Sequence, residues 1–435
     1  MLQAVFIPGT LGTSMIDAKQ RTIWPPGECT QPISSVELAD LLLQPTTTPG
    51  NVIGHMACVG AVYETIMATL AGLTGVQMTP CPYDWRLDIT KAADTLAGVL
   101  TQLPATDEIV IVAHSQGGLV TRYLIESGKY SGNAWFARLK TAVLIAIPHL
   151  GAPLALFRVL GLDALDPIIL PAWAMKKLGS DPTDYPSPYQ LVPGALATCV
   201  NLPDLSNTDV VSAFNKLLDP IGIAASTALH DAIDPFTVPA GIDYHLFYGY
   251  GLSTISRVSV AADGTPVRVF DDGDGTVPVW SSNPQGYDPK AVGKVSSLAK
   301  FQNDHLGLMN DPNLLATLQT LLGTATAPIA GTQLASAGRV TVVGQPIDLL
   351  IAVAGGGPDI QGNILCRPIL STTATSFPVQ GAQGASQLNL PFEMPNTPGT
   401  YVVSFDGTPN AITPPLRVTV MDADALDASG LAALS

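Results

Sequence analysis

The chain has 435 residues, 47% of them hydrophobic and only 13% charged, with a formal net charge of −15. That is material for one large α/β domain with a sizeable core plus a smaller module. The negative balance argues against nucleic acid and anionic membrane surfaces as partners, both of which would repel it, and no apolar stretch reaches the roughly 18 residues of a membrane-spanning helix.

The chain opens "MLQAVFIPG", entering a strand over 4–7 with no basic n-region and no apolar h-region. This is the start of a cytoplasmic protein, or of an exported one whose signal peptide has been removed. The loop that follows, "FIPGTLGTS" (6–14), is bracketed by glycines and can turn backbone N–H groups toward a ligand. Helical patterns fall at about 61–72 and 90–102. Between them "PYDWR" (82–86) carries Asp84 and Arg86, expected as a buried pair that fixes the loop. The five cysteines (Cys29, Cys58, Cys81, Cys199, Cys366) include no C-x-x-C pair, so zinc is not expected. A Cys29–Cys58 bridge is open to an exported protein; otherwise the thiols read as free and buried.

The stretch Glu108 to Tyr123, "EIVIVAHSQGGLVTRY", poses the chemical question. Ile109 to Val112 is a β-branched run of buried-strand length, and "LVTRYLI" (119–125) starts an amphipathic helix that reads on to about 130. Ser115 thus sits at a strand-to-helix turn only a few residues long. So sharp a turn strains the backbone and needs tiny side chains around it; Ala113, Gly117 and Gly118 are those side chains. The pattern A-x-S-x-G is one methyl from the usual nucleophile elbow.

Two further strand runs follow, "AVLIAI" (142–147) and "YHLFYGY" (244–250). Strands alternating with helices predict a mostly parallel sheet covered on both faces. Residues 152–243, rich in Pro, Leu and Asp, break that rhythm and read as an inserted cap. A serine needs a base to take its proton and a carboxylate to orient the base, in the chain order Ser, acid, His. Among the six histidines, His149 precedes the candidate acids at 271–274, the wrong order for the base, and reads as structural. His230 lies in the cap and His245 inside an apolar strand. His305, in the polar loop "FQNDHLGLMND", is the candidate base. The acid comes from "RVFDDGDGTVPVWSS" (268–282), where a strand ends in a turn carrying Asp271, Asp272 and Asp274. A calcium loop is the competing reading, but the twelfth positions from Asp271 and Asp272 are Ser282 and Asn283, not the required Glu. An oxyanion hole needs two backbone N–H groups: Gln116 supplies one, and Leu11 is the first candidate for the other, with Thr10 next.

A helix at 312–322 closes this unit, and "TATAPIAG" (324–331) has the small-residue composition of a linker. Beyond it short runs such as "RVTVV", "IDLLIAV", "TYVVSF" and "LRVTV", separated by Gly/Pro/Asn/Asp turns, predict an immunoglobulin-like β-sandwich over 332–425.

The pieces "IPGTLGTSM" (7–15), "CPYDWR" (81–86), "AHSQGGLVTRY" (113–123), "IPHLGAP" (147–153), "YPSPYQLVP" (185–193), "YGYGLST" (248–254), "DDGDGTVP" (271–278) and "NDHLGLM" (303–309) resemble, in order, the lecithin:cholesterol acyltransferase and group XV phospholipase A2 family of α/β-hydrolases. "YDWR" and "SPYQLVP" are not demanded by generic hydrolase chemistry, and the resemblance spans roughly 4–320. It implies an α/β-hydrolase domain over 1–325 and a triad of Ser115, Asp274 and His305, the acid being the one immediately before Gly-Thr-Val. It also implies a lid and membrane-binding region at about 23–58, with Trp24, alongside Thr10, on the substrate side. The expected activity is that of a serine esterase or lipase, free of metal and cofactor. It would act on an apolar or lipidic ester, with transient lipid-surface contact, and release the acyl group to water. Transfer to an alcohol is the alternative. A binding protein on a hydrolase scaffold, with the sandwich as the working part, is the reading from another class.

Overall fold

The computed structural model describes residues 1–25, 40, 42–56, 60–163, 176–194, 218–261, 266–286, 290–323, 331–336, 340–354, 359–369, 371, 373–408 and 415–422. The chain begins with β1 (Leu2–Ile7). A small sheet of β2 (Thr13–Ile16), β3 (Thr22–Trp24) and β4 (Thr48–Val52) follows, then the short ladder β5 (His55–Met56) with β6 (Gly60–Ala61). Helices and strands then alternate: α1 (Glu64–Ala71), β7 (Val76–Pro80), α2 (Ile89–Gln102), β8 (Glu108–His114), α3 (Gln116–Glu126) and β9 (Leu139–Ile145). After α4 (Pro153–Val159) and α5 (Pro220–Ile233) come β10 (Asp243–Gly249), the hairpin β11 (Leu252–Val260) and β12 (Pro266–Gly273), β13 (Ser297–Phe301) and α6 (Pro312–Leu321).

Six of these strands form one all-parallel sheet in the order β13-β10-β9-β8-β1-β7. Its inner strands are apolar on both faces: Ala4 to Ile7 and Ile109 to Ala113 are all buried, as helices on both sides require. The two edges, "VQMTP" in β7 and "SLAKF" in β13, lack such a run and carry solvent-facing residues. Neither reads as a strand in sequence, because an edge strand is not sandwiched. Helix starts are written locally. Asp88 caps α2 by accepting from Thr90 N at 2.8 Å. Asp219 and Asp311, each followed by proline at the first helical position, cap α5 and α6.

The interval 152–243, read in sequence as a cap, ends in α5, which packs along α3. Arg122 of α3 forms a fully buried ion pair with Glu126 at 2.7 Å and donates to the carbonyl of Ile233 at the end of α5. Glu126 also accepts from Tyr244 Oη at 3.0 Å, so β10, α3 and α5 are tied by one buried polar cluster. His230 is held between Asp234 and the Val192 carbonyl, each at 3.0 Å. His245 is half-buried on β10, bonded to Ser297 Oγ. Residues 164–175 and 195–217 of this interval lie outside the described residues.

Cys81 and Cys366 are buried free thiols, and burial pushes the Cys81 thiol up to about 12. Cys29, Cys58 and Cys199, and with them the Cys29–Cys58 pairing, lie outside the described residues, as do 26–39 of the expected lid and 324–330 of the linker. No helix among the described residues is long and apolar enough to cross a membrane.

The C-terminal part is all β: β14 (Gly331–Ser336), β15 (Val340–Val342), β16 (Pro346–Ala354), β17 (Gln361–Pro368), β18 (Thr375–Gln380), β19 (Gln387–Glu393), β20 (Gly399–Thr408) and β21 (Leu416–Met421). They form two sheets, β14-β16-β19 and β15-β21-β20-β17-β18. Leu349 and Ile351 from the first share one hydrophobic cluster with Ile364, Val403 and Val418 from the second. The other face of the first sheet meets the parallel-sheet part: Ala335, Leu350 and Ala352 cluster with Leu252 of β11.

Candidate active site

Ser115 follows the last residue of β8 and precedes α3, with φ 51° and ψ −126°. A non-glycine residue there is strained by about 1–3 kcal/mol; the strain is sustained by what surrounds it. Ser115 N donates to Ile145 O at 3.0 Å, and its carbonyl accepts from Gly118 N at 2.9 Å. The flanking glycines are required by contact rather than by φ. A Cβ on Gly117 would fall 2.5 Å from Pro8 O, one on Gly118 2.0 Å from Ile147 Cδ1, and one on Gly9 2.7 Å from Ser115 Cβ. Ala113, where the usual pattern has glycine, is an ordinary ladder residue paired with Ile7 and Leu144.

His305 comes from the loop between β13 and α6. Its Nε2 lies 2.9 Å from Ser115 Oγ and its Nδ1 2.8 Å from Asp274 Oδ2. The other carboxylate oxygen of Asp274 accepts from Thr276 N at 2.9 Å and Val277 N at 2.7 Å, and His305 N donates to Asp274 O at 3.0 Å. Asp274 is therefore buried with both oxygens satisfied, which fixes the ring that it orients. Gly249, at the end of β10, makes room for it: a Cβ there would sit 2.6 Å from Asp274 Cβ. Asp271 and Asp272 point elsewhere. Asp272 accepts from Gly251 N and Asp271 from Asp272 N, and both are exposed.

The loop 8–12 closes the other side. Leu11 takes φ 61°, and neither its N–H nor that of Gln116 has an acceptor among the described residues. Trp24, expected beside the substrate, is buried against this loop and donates its indole N–H to Leu11 O at 2.8 Å. Thr10 Oγ1 donates to Gln116 Oε1 at 2.7 Å, while Gln116 Nε2 donates to Trp85 O at 3.1 Å and Ser187 Oγ at 2.8 Å. One side chain thus joins the loop to two motifs, "YDWR" and "SPYQ". The Asp84–Arg86 pair, at 2.6 Å, is nearly buried; Arg86 also donates to the carbonyls of Leu42 and Thr47, a loop-fixing arrangement. His149 is buried beside Arg122, well away from this site in contacts. Burial first, and the Arg122 charge second, push its basicity well below the usual histidine range. Among the described residues no cluster of metal-ligating side chains occurs.

Two participants in this geometry carried no signal in the sequence. Tyr63, within a stretch read as helical, and His114, between the strand run and Ser115, are both fully enclosed beneath the site. Tyr63 Oη accepts from Gly9 N at 3.0 Å and lies 2.8 Å from His114 Nδ1.

A parallel sheet, a strained serine at a strand-to-helix turn, and an acid and a histidine following it in the chain are the arrangement of the α/β-hydrolase fold. Residues 59–205 match the family model described as lecithin:cholesterol acyltransferase, the family that the sequence motifs resemble. Similar solved structures include a chain of the Tle4–Tli4 complex (12% identity over 74% of this chain and 98% of that one, TM-score 0.48). The mature lipase BlEst2 of Bacillus licheniformis is another (13%, 73% and 91%, TM-score 0.39). A third is polyneuridine aldehyde esterase (10%, 74% and 98%, TM-score 0.30). No curated protein matches the chain in sequence.

Proposed function

We propose that the chain is a carboxylic ester hydrolase acting on an apolar or lipidic ester through an acyl-enzyme on Ser115. The observation that carries this reading is the unbroken hydrogen-bonded line from Ser115 Oγ through the His305 imidazole to Asp274. Ser115 Oγ attacks the ester carbonyl while His305 Nε2 takes its proton, and Asp274 Oδ2 holds the Nδ1–H and stabilises the imidazolium. The oxyanion of the tetrahedral intermediate is met by the amides of Leu11 and Gln116, each such donor lowering the barrier by about 2.7–4 kcal/mol. Collapse expels the alcohol, which takes the proton from His305 Nε2. Water then attacks the acyl-enzyme with His305 as base, and the acid departs, restoring Ser115. The lidded region 23–58 and the cap interval 152–243 are assigned to substrate recognition, with Thr10 and Trp24 on the substrate side of the loop. Family resemblance and the hydrophobic composition both favour an apolar acyl chain.

The C-terminal sheets are assigned to an immunoglobulin-like sandwich over 332–425 that follows a catalytic domain over 1–325. The strand orders β14-β16-β19 and β15-β21-β20-β17-β18 support that reading. The deciding experiment is turnover of p-nitrophenyl esters of rising chain length, with and without an added alcohol, alongside labelling by a fluorophosphonate. Turnover that grows with chain length, with free acid as product, is expected. A new ester formed in preference to acid identifies an acyltransferase instead. Folded protein that neither turns over ester nor labels refutes the enzyme reading and leaves the binding protein.

A further inference from the structure

The two halves of the proposed machinery come from distant parts of the chain: the oxyanion loop from 8–12 and the base from the loop after β13. Beneath both lies a continuous chain of buried polar groups. Gly9 N donates to Tyr63 Oη at 3.0 Å, Tyr63 Oη lies 2.8 Å from His114 Nδ1, and His114 Nε2 lies 3.1 Å from the carbonyl oxygen of His305.

The direction of every bond follows from donor chemistry. A carbonyl oxygen only accepts, so His114 Nε2 carries the proton. In a neutral imidazole Nδ1 is then the acceptor, so Tyr63 donates its hydroxyl proton there. The Tyr63 oxygen is left to accept from Gly9. No group is left unpaired and no second arrangement satisfies all three bonds. Burial first, and the facing His305 second, hold His114 well below the usual histidine range, so the ring stays neutral.

Packing aligns the same groups. The ring centroids of Phe6 and Tyr63 are 5.2 Å apart, those of Tyr63 and His114 5.5 Å, and those of His114 and His305 4.7 Å. A Cβ on Gly12 would come within 2.8 Å of Tyr63 Cε2, so the tyrosine ring is pressed against the underside of the oxyanion loop.

We infer that Tyr63 and His114 are positioning residues that set the oxyanion loop and the backbone of His305 in a common register through this bonded chain. The inference rests on the serine-esterase reading of Ser115 and His305. Neither residue touches the substrate; each acts on groups that do. The expected signature is a loss in the chemical step with substrate binding intact, because displacing reacting groups by about 1 Å costs up to about 100-fold in rate.

The test uses the full chain and three variants: Tyr63→Phe, His114→Gln and the double. Tyr63→Phe keeps the ring and its packing and removes only the bridging oxygen. His114→Gln breaks the chain one bond further along, and serves as the independent arm should either single variant be poorly folded. For each, kcat and KM for a soluble ester, the second-order rate of fluorophosphonate labelling, and the denaturant midpoint are measured per folded molecule. We expect each single variant to lower kcat and the labelling rate by about 10- to 100-fold, with KM within about threefold. The double should be no slower than the worse single, because one chain is broken only once. Wild-type rates in folded Tyr63→Phe overturn the inference. So do losses that multiply in the double variant, which would mark two unrelated packing defects. A wild-type protein inert to both ester and fluorophosphonate brings down the esterase reading and the inference with it, whereas an active wild type with insensitive variants brings down the inference alone.

Discussion

Glycine-to-alanine substitution inside a helix ordinarily stabilises by about 1 kcal/mol. Gly98, exposed in the middle of α2, is such a position, since an added Cβ meets nothing within 4 Å. At Gly117 in the first turn of α3 the same substitution should have the opposite sign. There a Cβ falls 2.5 Å from Pro8 O and 2.8 Å from Ile7 O. Both are backbone atoms, so no rotamer change relieves the clash; β1 and the start of the proposed oxyanion loop must move instead. Overpacking of this kind costs about 1–3 kcal/mol, which cancels the helix gain and leaves a net loss of up to about 2 kcal/mol. The effect on chemistry is larger, because the displaced segment leads directly to Leu11, one of the two proposed oxyanion donors. Loss of one oxyanion donor lowers kcat by about 100- to 1,000-fold. Urea midpoints and kcat on a short p-nitrophenyl ester, measured for Gly98→Ala and Gly117→Ala in parallel, read both quantities. If Gly117→Ala gains stability as Gly98→Ala does and keeps wild-type kcat, the close contact of α3 with the first strand, and the oxyanion assignment built on it, are wrong.

Ser115→Ala and His305→Ala should each abolish nearly all turnover, by several orders of magnitude, with Asp274→Asn somewhat milder. Asp272→Asn should leave kcat/KM almost unchanged, because Asp272 bonds to Gly251 N and not to His305; the reverse order of the two Asp variants would displace Asp274 as the acid. Stability should fall below about pH 6.5, the histidine value in an unfolded chain. His114 and His149 are both held neutral in the folded state, so the unfolded state binds more protons there and ΔG drops by up to about 1.4 kcal/mol per pH unit per group. Replacing His149 by Gln should lower the acid-side slope of urea-derived ΔG by about one proton, and an unchanged slope would contradict the buried neutral ring. Cutting the chain after Thr326 should keep turnover of a short soluble ester per folded molecule while lowering the unfolding midpoint, since Leu252 loses the cover of Ala335, Leu350 and Ala352. A folded truncation with dead chemistry would make the β module part of the site.

What the amino-acid sequence determines here is whatever neighbouring residues enforce on one another. A serine between an apolar run and two glycines must sit on a sharp turn, because the groups packed against Gly117 and Gly118 leave no room for a Cβ. Strands buried on both faces, such as "AVFI" and "IVIVA", announce themselves as unbroken apolar runs, and the pattern over 312–322 announces α6. Edge strands β7 and β13 do not, since solvent on one side dilutes the pattern. Three aspartates in one turn were equally eligible by composition, and the family resemblance pointed to Asp274. Only the pairing of β11 with β12 and the close approach at Gly249 bring its carboxylate to His305 and send Asp271 and Asp272 outward. Trp24 turns its indole N–H to the Leu11 carbonyl for the same kind of reason, through the small sheet that pairs β2 with β3. The chain of bonds from Gly9 through Tyr63 and His114 to His305 joins residues up to 296 positions apart by number. Nothing local marks such residues: a tyrosine in a helical stretch and a histidine in a strand acquire their partners only when the parallel sheet brings the ends of β1, β8 and β13 to one edge.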